Sequence, residues 1–243
     1  MHRVAGVLLA GLSAVAATPA WPRSSPAGVP NRAEPVVTCA AVAGGEGSAP
    51  PPIPRSLPVR LTDRAAARVR AYSDGFVTVI APRGWLCAGL SAADGGQSLS
   101  VFPPGQPNPL GAGRLPAHAA GVTAIREYTG HGPGAQLVCA LFPGTRAARL
   151  GAETGGCTPS PRHESVHRPR RGVATFLDPP GVRGSGEPSG ADNRAYGAVV
   201  YPRLSPEPDS VDVAKVTCTL SGPTEALCPS IVDDFVTRTE PAR

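Results

Sequence analysis

Lysine is almost missing from this chain, since Lys215 is its single lysine and every other basic side chain is arginine. A Walker-type phosphate loop requires Gly-Lys-Ser/Thr, so the sequence excludes that class of nucleotide site. No G-x-S-x-G segment is present, which excludes the nucleophile elbow of α/β-hydrolases. Aromatic residues make up only 5%, whereas the 243 residues include 29 glycines and 30 prolines. This composition predicts a turn-rich chain with few large core side chains.

Long hydrophobic runs are also missing, except at the N-terminus. Residues 1–20 carry Arg3, a stretch of small apolar residues and leucine over 4–17, and a small-residue exit at 18–20. This layout predicts a secretory signal peptide, and its apolar run is shorter than the ~20 residues that span a bilayer core. We expect a secreted, extracellular or envelope-associated protein with no transmembrane segment after cleavage. The net charge of +5 is too small to predict dedicated nucleic-acid binding.

Six cysteines remain in the exported chain. An even number predicts three disulfides, because the extracellular space does not keep thiols reduced. A cysteine zinc site is disfavoured because no C-x-x-C pair occurs. The sequence alone does not choose among the many possible pairings. Proximity favours Cys218–Cys228 and Cys139–Cys157, which leaves Cys39–Cys87.

The chain divides by composition into three parts. After the signal peptide at residues 1–20, residues 21–58 form a Pro/Gly/Ala-rich linker, and residues 59–240 form a single secreted domain. We expect this N-terminal segment to be disordered. The domain is predicted to be α+β, rich in short strands, stapled by disulfides and completed by a C-terminal helix.

Local patterns place the elements within this domain. "LTDRAAARVRAYSDG" resembles a short helix capped by Thr62 and ended by Asp74-Gly75, and a second helix begins near Cys228. Residues 103–121 and 143–161 are loop-like. Runs rich in β-branched residues predict strands at FVTVIAP, GWLCAGL, SLSVFPP, QLVCALF, VATFL, YGAVVYP and DVAKVTCTL.

One short stretch matches a catalytic motif. His163, Glu164 and His167 spell H-E-x-x-H, in which zinc peptidases place two histidine ligands and a general base on one helix. Pro161 and Pro169 bracket the stretch and oppose a helix, and no third ligand follows at the expected spacing. Nearby arginines raise the cost of binding a dication; they are Arg162, Arg168, Arg170 and Arg171. We therefore predict a solvated basic loop without metal.

A glycine-rich stretch, "FLDPPGVRGSGEPSGADN", is the second candidate. Dinucleotide sites place such glycines between a strand and a helix, whereas here the strand pattern "RAYGAVVYP" follows. We predict a long loop between two strands, and ordered loops are where functional surfaces lie. The candidate binding residues in this loop are Asp178, Gly184, Gly186, Glu187, Ser189 and Gly190.

Several of these stretches together resemble a group of exported actinobacterial proteins of unknown function. The similar pieces are "VIAPRGWLC", "CALFP", "FLDPPGVRGSGEPSG" and "VTCTLSGPTEALCPSIVDDFV", which fall within residues 76–236. The resemblance implies no established activity, so it transfers no functional residue. It does imply that the glycine-rich loop and the last cysteine pair belong to the design of the fold.

The leading hypothesis is a non-catalytic protein, without a cofactor, that presents a loop surface to an unknown extracellular or envelope partner. The alternative is a secreted zinc metallopeptidase that uses Glu164 as base and His163 and His167 as ligands. Metal content, and whether residues 161–169 form a helix, separate the two. A third hypothesis is that the arginines of residues 162–171 bind an anionic envelope polymer in a salt-sensitive manner.

Overall fold

A computed structural model describes most of the chain. Three of the candidate loop residues, Glu187, Ser189 and Gly190, and the predicted signal peptide at residues 1–20, lie outside the described residues. The described ranges are 31–43, 49–93, 95–111, 116, 118–127, 133–153, 157, 160, 162–182, 184–186, 192–201 and 212–239.

Strands dominate the described part of the chain. They are β1 (Asn31–Thr38), β2 (Ala40–Ala43), β3 (Ser56–Arg60), β4 (Val69–Ser73), β5 (Thr78–Pro82), β6 (Leu86–Ser91), β7 (Gln97–Phe102), β8 (Gly121–Glu127), β9 (Ser165–Arg170), β10 (Val173–Asp178), β11 (Ala195–Val200) and β12 (Val213–Thr219). The helices are α1 (Asp63–Ala66), α2 (Pro133–Cys139), α3 (Arg146–Glu153) and α4 (Cys228–Thr239), the last preceded by a 3₁₀ turn at Gly222–Leu227. The α+β prediction, with its C-terminal helix, is confirmed.

Two sheets form the framework. A four-stranded sheet has the order β3-β1-β4-β5, and an eight-stranded sheet has the order β2-β6-β7-β8-β12-β11-β10-β9. Neighbouring strands are antiparallel except for β1 with β4 and β2 with β6. Because β1 and β2 are separated only by Cys39, one stretch of chain contributes a strand to each sheet.

The larger sheet is packed on both faces. Its inner face contributes Val101 and Val216 to the main core, which also includes Tyr72 of the small sheet and Phe235 of α4. Its outer face forms a second, smaller core with α2, whose members are Ala135, Val138, Leu141, Phe142, Ala174, Phe176, Val199 and Val213. Side chains alternate between faces along each strand, so this division follows from strand geometry.

Three disulfides cross-link the chain. They join Cys39 to Cys87, Cys139 to Cys157 and Cys218 to Cys228, which are the pairs that proximity favoured. The first ties the β1–β2 junction to β6, and the third ties β12 to the start of α4. Constraining the unfolded chain in this way contributes roughly 3–4 kcal/mol per bridge in the chain-entropy picture. Among the described residues, no helix has the length and apolar character needed to cross a membrane.

Two predictions near the start of the domain are wrong. Residues 31–43 and 56–58 were placed in a linker, but they form β1, β2 and the beginning of β3. The helix predicted over "LTDRAAARVRAYSDG" ends at Ala66, and its second half is strand β4. Thr62 does cap the short helix, since its hydroxyl accepts the N–H of Ala65 at 3.4 Å.

Three later predictions also need correction. "QLVCALF" was predicted as a strand but lies largely in α2, and residues 143–161 contain helix α3 rather than loop alone. The segment from Arg162 to Arg171 was predicted as a loop, but most of it is strand β9 at the edge of the larger sheet. Pro169 is tolerated there because an edge strand need not donate every amide to a neighbour.

Candidate functional site

Two carboxyl groups face each other on the outer face of the larger sheet. Glu164 immediately precedes β9, and Asp178 is the last residue of the neighbouring β10. The register brings them side by side, since Ser165 lies opposite Leu177. Asp178 is only 2% exposed. Oε2 of Glu164 and Oδ1 of Asp178 are buried without a donor among the described residues. Because ionised carboxylates only accept hydrogen bonds, a hydrogen bond between these two groups requires a proton on one of them.

The glycine-rich loop after β10 holds the other two oxygens. The N–H of Ser185 donates to Oε1 of Glu164, and the N–H of Gly186 donates to Oδ2 of Asp178 at 2.7 Å. A Cβ at Gly184 would overlap Oδ1 of Asp178, and a Cβ at Gly186 would lie 2.6 Å from Oδ2. Both positions therefore need glycine because the carboxyl approaches the backbone too closely for any side chain.

The pKa of Asp178 is strongly shifted. Burial of Asp178, together with the hydrogen bond and negative charge of Glu164, raises the pKa of Asp178 to about 7. The Gly186 amide and the positive charge of Lys215 oppose this rise in pKa, but their effects are weaker. Two adjacent carboxylates repel each other, so Asp178 keeps its proton up to about neutral pH.

The single lysine of the chain lies on the same face. Lys215 on β12 is 8% exposed, and its ammonium lies 5.9 Å from the centre of the Phe176 ring. The Phe176 ring occupies the space above Gly197, where a Cβ would overlap it. The positive charge of Lys215 acts on Asp178 from this face and favours its ionised form.

The strand geometry separates the members of the H-E-x-x-H motif. Glu164 contacts Asp178, whereas His167 lies opposite Thr175, whose side chain points to the other face of the sheet from Asp178. His163 lies in a turn before β9 and is exposed. The general base and one proposed ligand are therefore on opposite sides of the sheet. Within the described ranges, no three His, Cys, Asp or Glu side chains are grouped to hold a metal.

The far end of the β10–β11 loop is anchored as well. The side-chain amide of Asn193 donates to the carbonyls of His118 at 3.2 Å and Ala119 at 3.1 Å. Arg194 forms an ion pair with Glu225 at 2.9 Å. The loop that the sequence selected as a binding region thus begins and ends at fixed points, and its candidates Asp178, Gly184 and Gly186 act in the first of these anchors.

The edge of the larger sheet is strongly basic. We call this surface the basic edge; its members are Arg162, His163, His167, Arg168, Arg170 and Arg171, all of them exposed. The guanidinium of Arg168 donates through Nε to the carbonyl of Leu141, so this side chain lies against the end of α2. Charged side chains and a proline on an edge strand prevent pairing with further strands.

Sequence reasoning missed the partnership of Glu164 with Asp178. It assigned the two residues to different candidate sites, one to a motif and the other to a loop. Strand alternation could have found the pair, because Glu164 and Val166 share a face once β9 is recognised as the neighbour of β10. Pro169 and the arginines concealed that strand.

The comparisons with known proteins add no relative. No protein-family model, no curated protein and no solved structure matches the chain. The resemblance to exported actinobacterial proteins of unknown function therefore stays a prediction.

Proposed function

We propose that this chain is an exported, non-catalytic protein that binds a partner outside the cell or in the cell envelope. Three disulfides agree with an oxidising compartment, where such bonds persist. The N-terminal signal-peptide pattern provides the route of export.

The proposal that the protein is non-catalytic is supported mainly by the contacts of the Glu164 carboxylate. A zinc peptidase needs this carboxylate free beside the metal, with both histidines on the same helical face. Here Glu164 accepts the Ser185 amide and lies against Asp178, whose pKa it raises, while His167 belongs to the opposite face of a strand. Restoring the motif would require β9 to leave the sheet and become helical.

The proposal that the protein binds a partner is supported by the anchoring of strand β9 and of the ends of the β10–β11 connection. The described ends of the β10–β11 connection are anchored, with Ser185 and Gly186 held by the Glu164 and Asp178 carboxyls and Asn193 held by the Ala119 carbonyl. The adjacent β9 presents its side chains along a rigid sheet edge. A surface ordered before contact loses less conformational entropy on binding, which favours affinity.

Zinc stoichiometry of the oxidised, dialysed mature protein tests the non-catalytic proposal. We expect far less than one zinc per chain, unchanged by His167→Ala, and no peptidase activity on an unstructured protein substrate. The control is Arg64→Ala, which removes an exposed side chain and changes neither a histidine nor a carboxyl group. About one zinc per chain, lost in His167→Ala and kept in Arg64→Ala, would overturn the proposal.

A further inference from the structure

The charge of this protein is concentrated at one sheet edge. Residues 162–171 contain four arginines against one glutamate, a formal charge of +3, compared with +5 for the whole chain. That one glutamate, Glu164, is partly buried against Asp178, whereas the four arginines are exposed. The basic edge is therefore the main cationic feature among the described residues of the larger sheet.

We propose that the basic edge binds a phosphate-bearing anionic polymer of the cell envelope. This inference rests on the proposed function in assuming export. A six-residue strand is about 20 Å long, which accommodates several charged units of an extended polymer. Arginine is suited to phosphate because its planar fork donates two parallel hydrogen bonds and remains charged at every physiological pH.

Positive charge extends from the edge onto the neighbouring helix. Burial raises the pKa of Tyr201, and the positive charges of Arg146 and Arg171 oppose this rise because both lie near its hydroxyl. Arg149 is exposed on the same helix as Arg146, and its guanidinium donates to the Gly144 carbonyl at 3.4 Å. The cationic surface thus widens beyond a single strand, as a polymer ligand requires.

Other classes of occupant fit this surface less well. A further β-strand is disfavoured because Pro169 lacks an amide and the arginines crowd the edge. A membrane is disfavoured because the exposed large apolar side chains of the described residues, Val37, Val42 and Leu86, lie on β1, β2 and β6, away from β9. A single-stranded nucleic acid stacks its bases on exposed aromatic rings, but the nearby Tyr201 ring packs on Phe142 with centroids 5.7 Å apart.

Binding of fluorescent inorganic polyphosphate to the mature protein tests the proposal. The variant Arg162→Ala/Arg171→Ala removes two charges that flank β9 without altering the strand. Its matched control, Arg55→Ala/Arg64→Ala, removes two exposed arginines from the region of the small sheet and α1. We expect the first variant to weaken binding about 25-fold, at about fivefold per arginine, and to reduce the salt slope by about 2. The control should bind within about twofold of the parent.

Four outcomes would overturn the proposal. These are no binding of polyphosphate at physiological salt, equal loss in both variants, equal or tighter binding of poly-glutamate at matched charge, and tighter binding of single-stranded DNA or anionic lipid vesicles. Thermal melting of each variant separates lost binding from lost folding, and Arg168→Lys provides a second, charge-preserving change if the double variant unfolds. Failure here leaves the zinc result unaffected, so it is distinguishable from failure of the proposed function.

Discussion

Replacing Glu164 with glutamine should stabilise this protein at alkaline pH. The glutamine oxygen can still accept the Ser185 amide, and its NH₂ group can donate to Oδ1 of Asp178, which has no donor among the described residues. The substitution therefore removes a negative charge from the buried site while supplying the hydrogen bond that the shared proton now provides. A buried acceptor gains a donor without any change in side-chain size.

The size of the effect follows from the pKa of Asp178. The folded protein raises this pKa from 3.8 to about 7, so the folded state holds a proton that the unfolded chain has released. Stability from this group is fully present below pH ~4, falls as the pH rises, and is lost above pH ~7. At about 1.4 kcal/mol per pKa unit, the total loss is about 4 kcal/mol. Lys215 and the Gly186 amide are the other groups facing Asp178, and both favour its ionised form.

Urea unfolding between pH 4.5 and 8.5 measures this dependence. Because burial is the largest cause of the raised pKa, Glu164→Gln should remove only part of the slope and gain about 1–2 kcal/mol at pH 8. Burial also raises the pKa of Asp74, Asp212 and Asp234, but these groups are common to both proteins and cancel in the difference. Parallel stability curves, or a variant less stable than the parent at pH 8, would refute the shared-proton pair.

Two further predictions concern packing, one beside Asp178 and one in the small sheet. Gly184→Ala should cost about 2 kcal/mol of unfolding free energy, because its Cβ would overlap Asp178. The control Gly111→Ala should be near neutral, because its Cβ meets nothing within 4 Å. Equal melting temperatures of the two variants would contradict the close approach of Asp178 to Gly184. Tyr72→Phe should cost about 1–3 kcal/mol of unfolding free energy, because the buried hydroxyl donates to the Pro82 carbonyl at 2.8 Å and accepts the Trp85 amide at 3.2 Å. A loss of stability no larger than that of Tyr201→Phe would contradict this role of the Tyr72 hydroxyl.

The sequence identified those elements whose signals are local. The C-terminal helix and the strands β10, β11 and β12 follow from apolar patterns, and the disulfides that form are the pairs that proximity favoured. The segment around α1 was predicted only in part from local signals. Thr62 caps a helix as predicted, but Val69–Ser73 pairs with β1 and β5, and these long-range strand contacts outweigh the preference of alanine and arginine for helix.

The predictions for the linker and for the α2 segment failed for the same physical reason. Residues 31–43 have no strand periodicity of their own, and their partners β3, β4 and β6 lie far along the chain. Conversely, "QLVCALF" has a strand-like composition, but its first four residues lie in α2 and Cys139 is bridged to Cys157. Leu141 and Phe142, just after the helix, join the second core. Tertiary packing decides such segments.

The candidate site was only partly predictable. The glycine-rich loop was correctly located between two strands, and Asp178, Gly184 and Gly186 were selected from it. Their role as an anchor depends on Glu164, which reaches them only because β9 pairs with β10. That pairing was hidden, since an arginine-rich stretch with a proline is typical of a loop.

A carbon-13 NMR titration of the Asp178 and Glu164 side-chain carboxyls tests the central claim most directly. If the two groups share a proton and so keep Glu164 from serving as a catalytic base, the Asp178 resonance should titrate with a midpoint near pH 7. In Glu164→Gln the midpoint should move to lower pH. A midpoint near pH 4 for both carboxyls in the parent protein would contradict the shared proton and leave Glu164 available for chemistry.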